Sequence, residues 1–235
     1  PSLQDTVVTA TRTEQPLADL VADVSIVDRE TIESSGATGL ADVLARLPGI
    51  EMGRSGGPGG NTSVFVRGAE SRFAAVYVDG VRVDSQAGSG GTTWEAIPLA
   101  QIERIEVLRG PAAAVYGSDA VAGVIQIFTK KGEAGVAPYV GVGAGTHGTY
   151  RAEAGVSAAS GAVDYALGLS RETSKGFNAK LDGNPDRDDY RSTAANGRLG
   201  WQLNTAHRVE GNFLYNDTDG GYDGSYDVSK PADDR

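Results

Sequence analysis

The chain has no cysteine, one methionine, two tryptophans and two histidines in 235 residues. The missing cysteine excludes disulfides, thiolate metal sites and cysteine nucleophiles. It leaves the compartment open, because an oxidising environment permits disulfides without requiring them. Basic residues are scarce: 21 Lys+Arg face 31 Asp+Glu, a formal net charge of −10. That balance argues against a phosphate-backbone binder, which needs a basic patch or domain. No uninterrupted apolar run reaches the roughly 18 residues of a transmembrane helix. A basic segment followed by an apolar core is also missing, so the reading is of a cytosolic protein or of one already processed. A membrane β-barrel passes these tests, since its strands alternate apolar and polar residues. Glycine is abundant, at 33 residues, about twice ordinary usage. With 40% hydrophobic residues the composition suits one or two folded domains.

Two textures divide the chain. Up to about Lys131, helix and strand signals mix. Leu40, Val43, Leu44 and Leu47 share one face of a short helix over 39–47, stopped by Pro48-Gly49. Strands are expected at 24–27, 63–66, 74–83, 102–108 and 124–129, rich in β-branched residues. Asp79-Gly80, between Val76-Tyr77-Val78 and Val81-Arg82-Val83, is a hairpin signal. Two glycine-rich segments, 53–62 and 85–93, interrupt this part. Such loops are expensive to order unless a partner uses them, and otherwise are flexible surface. Neither has the lysine a phosphate loop needs.

From about Gly135 the helical signals vanish. Tyr150, Ala152, Ala154, Val156 and Ala158 alternate with Arg151, Glu153, Gly155 and Ser157, and Val163, Tyr165, Leu167 and Leu169 with Asp164, Ala166, Gly168 and Ser170. Ala195, Gly197, Leu199, Trp201 and Leu203 repeat the pattern, as do Val209, Gly211, Phe213 and Tyr215; 138–145 is a weaker case. Segments of about ten residues with this period fit tilted membrane strands and exceed the usual five to six. Short turns at 159–161 and 204–206 oppose long acidic stretches at 172–189 and after Asp217. A soluble antiparallel sheet with one face on a core, such as a calcium-binding β-sandwich interaction module, produces the same alternation.

Several segments carry a family resemblance. Asp5-Thr6-Val7-Val8-Thr9-Ala10 resembles a Ton box, the extended peptide by which TonB-dependent outer-membrane receptors engage the periplasmic energy-coupling protein TonB. A short β-prone segment of this kind can add as a strand to an exposed sheet edge. Asp42 to Ile50, Val64-Phe65-Val66-Arg67-Gly68, Val78-Asp79-Gly80-Val81, Ile102 to Pro111 and Tyr116 to Ile125 follow in the order and spacing of that family's plug domain. The resemblance implies a Ton box and N-terminal segment over 1–12, an α+β plug over 13–131, with a mixed small sheet and short helices, and the first antiparallel strands of a transmembrane β-barrel over 135–235. It further implies a bacterial outer-membrane location, removal of a signal peptide, contact with outer-membrane lipid, no nucleic-acid partner, and active import driven through TonB. The family's plugged barrels have about 22 strands. The residues after the plug suffice for about five, so the chain is expected to be part of a longer transporter.

Within the family the chain is similar to the branch that carries cobalamin, through Glu14-Gln15-Pro16, the glycine loop at 55–60 and the loop at 85–97. That similarity implies cobalamin or another large nutrient as transported ligand, with a ferric siderophore as the alternative. It also implies that Arg54, Ser55, Asn61, Gly88 and Ser89 contact the substrate. Asp186, Asp188, Asp223, Asp233 and Asp234 fall in the acidic loops where that branch binds calcium. Ca²⁺ takes six to eight hard oxygen ligands at about 2.3–2.6 Å, while the plainer reading of such loops is a solvated acidic surface. Asn178 stands where the branch has an aspartate ligand, so its amide oxygen would bind without charge. Asp233 and Asp234 are separated from the pattern by a one-residue gap, so one of the two is expected to ligate. Arg67, Arg109, Glu103 and Glu106 resemble structural plug residues. No nucleophile–base pair is apparent, and His147 and His207 fall in or beside turns, so the expectation is a transporter with no catalytic residues and no organic cofactor.

Overall fold

The computed structural model describes residues 7–8, 15–16, 23–57, 59–85, 90–110, 113–132, 134–178 and 187–221, which form two compact units. The first comprises Pro1–Gly53, Ser63–Trp94 and Ile102–Thr129. In it β1 (Val7–Val8) pairs antiparallel with β2 (Gln15–Pro16). A five-stranded sheet follows the order β3 (Asp23–Asp28), β8 (Ile102–Arg109), β9 (Gly123–Thr129), β6 (Ala74–Val78), β7 (Val81–Arg82). The β6–β9 pair is parallel and the others antiparallel. β4 (Ile50–Arg54) and β5 (Thr62–Val66) pair separately. Every residue of β6 is buried, as are most of β8 and β9; β6 and β9 accordingly read as near-continuous apolar runs, whereas β8 interleaves its apolar residues with Glu103, Arg104, Glu106 and Arg109. Tyr77, Leu108, Tyr116 and Val124 form a core cluster with Val24 and Ile26 against it. Gln126 Nε2 donates to Tyr116 Oη at 2.7 Å, so the buried amide is not stranded.

The expected hairpin forms at Asp79-Gly80, where φ is +47° and +82°. Positive φ at both central residues gives the primed turn that matches strand twist. Asp79 also accepts from Thr129 N at 3.0 Å, tying the turn to the end of β9. The expected helix over 39–47 is shorter: α2 covers Leu40–Leu44, and the chain then tightens through a Leu47 N to Leu44 O bond of 2.9 Å. α1 (Arg29–Ser34) was not expected; the Asp28 carboxylate caps it by accepting Thr31 N at 2.8 Å, and hydrogen bonding from the Thr31 side chain, then from its amide, holds this carboxyl below its ordinary 3.8. α3 covers Ala113–Tyr116. Arg67 and Arg109 share one carboxylate, donating to Asp23 at 2.7 and 2.8 Å, and Glu106 pairs with Arg104 at 2.9 Å. Arg67, Arg109 and Glu106 therefore find their ion-pair partners inside the unit itself.

The second unit comprises Arg54–Thr62, Glu95–Gln101 and Lys130–Arg235. Its sheet is β10 (Gly135–Gly145), β11 (Thr149–Ser160), β12 (Val163–Ser174), β13 (Tyr190–Gln202) and β14 (Arg208–Gly220), antiparallel in chain order and 11 to 13 residues per strand. β12 and β14 run a few residues further than expected, trimming the long loop to 175–189. No helix among the described residues is long and apolar enough to cross a membrane.

Burial decides between the two sheet readings. In register, Val140, Ala154, Leu169, Ala195 and Tyr215 form one cross-strand row, and Pro138, Val156, Leu167, Gly197 and Phe213 the next. The large apolar side chains on this face are exposed: Val140 is 81% and Leu169 63% accessible. On the opposite face Asn196 and Arg198 are 7% and 6% accessible. A sheet resting on an apolar core has the reverse polarity, so the β-sandwich expectation does not hold. Each exposed Val, Leu or Phe gains roughly 1.5–3 kcal/mol by leaving water, and an apolar outer band with a polar interior is the pattern of strands that meet lipid. Trp201 toward the short-turn end and Tyr150 toward the long-loop end bracket the band as interfacial aromatics do. Small residues make room on the polar face: the Tyr139 ring lies over Gly155, where a Cβ would come within 2.4 Å of it, and Lys130 Nζ sits 3.7 Å above that ring.

Candidate functional site

The glycine loop is built by short backbone contacts. Arg54 ends β4 and Thr62 begins β5, and between them the Ser55 amide donates to the Asn61 carbonyl at 3.0 Å and the Gly60 amide to Gly57 at 2.9 Å. A Cβ at Gly60 would come within 1.8 Å of the Ser55 carbonyl oxygen, so only glycine permits this closure. Arg54 Nε donates to Thr62 Oγ1 at 3.1 Å, and Thr62 Oγ1 donates to the Gly60 carbonyl at 3.1 Å. The structure therefore brings three expected substrate residues to one loop neck, with the Ser55 and Asn61 side chains exposed beside each other and Arg54 half-buried. Gly88 and Ser89 lie outside the described residues. The end of that second loop is nevertheless placed: Asn216 Nδ2 on β14 donates to the Glu95 carbonyl at 2.9 Å.

The start of β13 and residues of the connection before it lie against the glycine loop. A Cβ at Gly59 would fall 2.6 Å from Tyr190 Cδ2, and one at Gly57 would fall 3.9 Å from both Phe177 Cε1 and the Asp188 carbonyl oxygen. Phe177 in turn packs against His147, in the turn between β10 and β11, with ring centroids 5.0 Å apart and planes tilted by 44°. His207 sits apart, just before β14, where its amide donates to Asn204 Oδ1 at 2.9 Å.

Asp188 is the expected metal ligand that can be described with its surroundings. It is 6% accessible, its amide donates to the Phe177 carbonyl at 3.4 Å, and a Cβ at Gly176 (φ +61°) would meet its carbonyl oxygen at 1.7 Å. This bond brings Asn178 and Asp188, from the two limbs of one loop, toward each other, and both have polar interactions. A carboxylate and an amide oxygen are the hard donors calcium takes. Asp186, Asp223, Asp233 and Asp234 lie outside the described residues, and among the described residues no group of three or more His, Cys, Asp or Glu assembles. Of the Ton-box expectation, Val7 and Val8 are the strand β1, while Asp5, Thr6, Thr9 and Ala10 lie outside the described residues.

Sequence reasoning missed Tyr190 and Phe177 as parts of this site. Their one sign is position, Phe177 opening the acidic loop and Tyr190 opening the strand after it.

Residues 16–124 match the TonB-dependent Receptor Plug Domain family. A curated vitamin B12 transporter BtuB of Vibrio vulnificus is 48% identical over 140 residues, covering 60% of this chain and 23% of that protein. The BtuB of Photobacterium profundum is 36% identical over 222 residues, 94% of this chain and 36% of its own length. The chain thus spans about a quarter to a third of these curated relatives. Among solved structures, the siderophore receptor PirA from Acinetobacter baumannii superposes with a TM-score of 0.66 at 26% identity, over 84% of this chain and 31% of PirA. Matched plug, curated relatives and the plug-then-strands fold agree, and the chain belongs to the TonB-dependent receptors of the outer membrane.

Proposed function

We propose that this chain forms the ligand-receiving part of a transporter that imports cobalamin or a related corrinoid across the outer membrane under TonB drive. The observation that carries the reading is the glycine loop, tightly closed at its base and presenting Ser55 and Asn61 outward. Closely approachable backbone suits a large flat ligand edged with amides and a phosphate, because free main-chain amides can bond to both. The B12-transporter relatives support the ligand class. Arg54, Ser55, Asn61, Gly88 and Ser89 are the proposed contacts. Competition binding to the full receptor tests this: cyanocobalamin should displace bound corrinoid and ferric siderophores should not. The reverse order of displacement would favour a siderophore receptor, the reading supported by the likeness to PirA.

Calcium is the proposed companion ion. Asp188 and Asn178, joined by Asp186, Asp223, and Asp233 or Asp234, would hold it between two loops. The ion would relieve repulsion among the carboxylates and order the loops before ligand arrives. Titration calorimetry of the full receptor should show calcium uptake; no heat at millimolar Ca²⁺ would remove the ion from the account.

The N-terminal segment Asp5–Ala10 is the proposed TonB contact. Val7 and Val8, within this segment, pair as a short strand with Gln15–Pro16, and a β-prone stretch of this kind is one that a partner strand can extend. Ligand arriving outside would release the segment, and TonB would draw on the plug using energy from the inner membrane.

A further inference from the structure

We propose that Tyr190 is a positioning residue that holds the glycine loop in its ligand-ready shape, a role resting on the binding-loop reading above. Tyr190 is the first residue of β13, directly after the loop that carries Asp188, and its half-buried ring lies against Gly59. The fit is tight at Gly59 and an ordinary contact at Gly220. A Cβ at Gly59 would come within 2.6 Å of Tyr190 Cδ2 and 3.4 Å of Cγ and Cε2, and a Cβ at Gly220 would lie 3.9 Å from Cδ2 and equally far from Gly59 Cα. The ring therefore occupies a slot between two glycines, one on the binding loop and one at the end of β14.

The slot confines the loop where Gly59 meets the ring. The loop's glycines confer wide backbone freedom, and fixing each of them costs conformational entropy. The internal bonds Ser55–Asn61 and Gly57–Gly60 close the loop on itself, but they do not set its height relative to the strands. Tyr190 does: it is a flat, stiff side chain rooted in a regular strand, and the missing side chain at Gly59 is the shape complement of its ring. Phe177, packed against His147, makes an ordinary contact at Gly57. A preorganised loop presents Ser55 and Asn61 without an ordering cost at the moment of binding.

The test uses the full receptor. A nitroxide on Ser55→Cys, the one cysteine in this chain, reports loop mobility without ligand; unlabelled protein reports cyanocobalamin affinity. Tyr190→Ala should convert the label from an immobilised to a mobile spectrum and weaken binding about tenfold, while Tyr190→Phe, which keeps the ring, should match the parent in both. Gly59→Ala should mimic Tyr190→Ala when the ring is present and add nothing when Tyr190 is already alanine. The Gly59 variant keeps the test decisive if Tyr190→Ala folds poorly. Unchanged label mobility in Tyr190→Ala, or additive effects of the two substitutions, would overturn the role. A label that loosens as described in a receptor with no affinity for cyanocobalamin would support the seat and reject the ligand.

Discussion

Arg208 on β14 reaches Asp164 on β12 across the strand between them, Nη2 to Oδ2 2.6 Å, and it passes over Gly200. A Cβ on Gly200 would stand 2.0 Å from Arg208 Nη2 and 2.6 Å from Asp164 Oδ2. The glycine is thus a notch through which two outer strands are joined on the polar face. Arg208 also lies 3.4 Å from Glu210, which pairs with Arg198, so the notch completes a chain of alternating charges. Gly200→Ala should lower the melting temperature of the detergent-purified receptor and should have no further effect in an Asp164→Ala background. The difference should shrink in high salt, since Arg208 is partly exposed.

The outer face makes a sharper prediction. Leu167 and Leu169 are exposed on β12 between apolar neighbours on β11 and β13. Arginine at either position should cost about 2–4 kcal/mol near the bilayer midplane, read as a loss of folded, heat-modifiable receptor in lipid. On a water-facing sheet the same change would be neutral.

The outward polarity of this sheet is also where sequence reasoning reached its limit. The alternation over Tyr150–Ala158 and its fellows was legible because strand side chains alternate strictly. A soluble sheet on a core alternates identically, and only the exposure of Val140 set against the burial of Arg198 says which face is which. β4 went unseen because Met52-Gly53-Arg54 reads as the start of a glycine loop, and α1 because it is a short helix with a single buried residue, Ile32, to give it a period. Arg54, Ser55 and Asn61 stand out in the sequence as expected substrate contacts, and the fold gathers them at one loop neck. The loop's seat on Tyr190 does not stand out, since the pairing of residue 59 with 190 is a property of tertiary packing that no local pattern encodes.

Asp28 links the plug to pH. Its cap on α1 should make Asp28→Ala cost about 1 kcal/mol in urea unfolding at neutral pH, with Asp28→Asn costing less. Folding lowers this carboxyl below its ordinary 3.8, so the cap contribution is complete above about pH 4 and is lost as pH falls through the folded value. The Asp28→Ala penalty should therefore fade in acid.

Asn178 offers a gain of function. On the calcium reading, Asn178→Asp adds a carboxylate where the chain supplies only an amide oxygen, and should tighten Ca²⁺ binding roughly tenfold. Asp188→Ala should weaken it, and chelation should loosen cyanocobalamin binding in the parent but not in Asp188→Ala. Calorimetry with and without chelator measures all three.

The most direct test of the account is cyanocobalamin accumulation by cells carrying the full receptor, compared with the same receptor lacking residues 5–10. The parent should accumulate the vitamin; the deletion should bind it at the surface with unchanged affinity and accumulate none. Failure of the parent to accumulate cyanocobalamin, or accumulation at the normal rate without residues 5–10, would contradict TonB-driven cobalamin import.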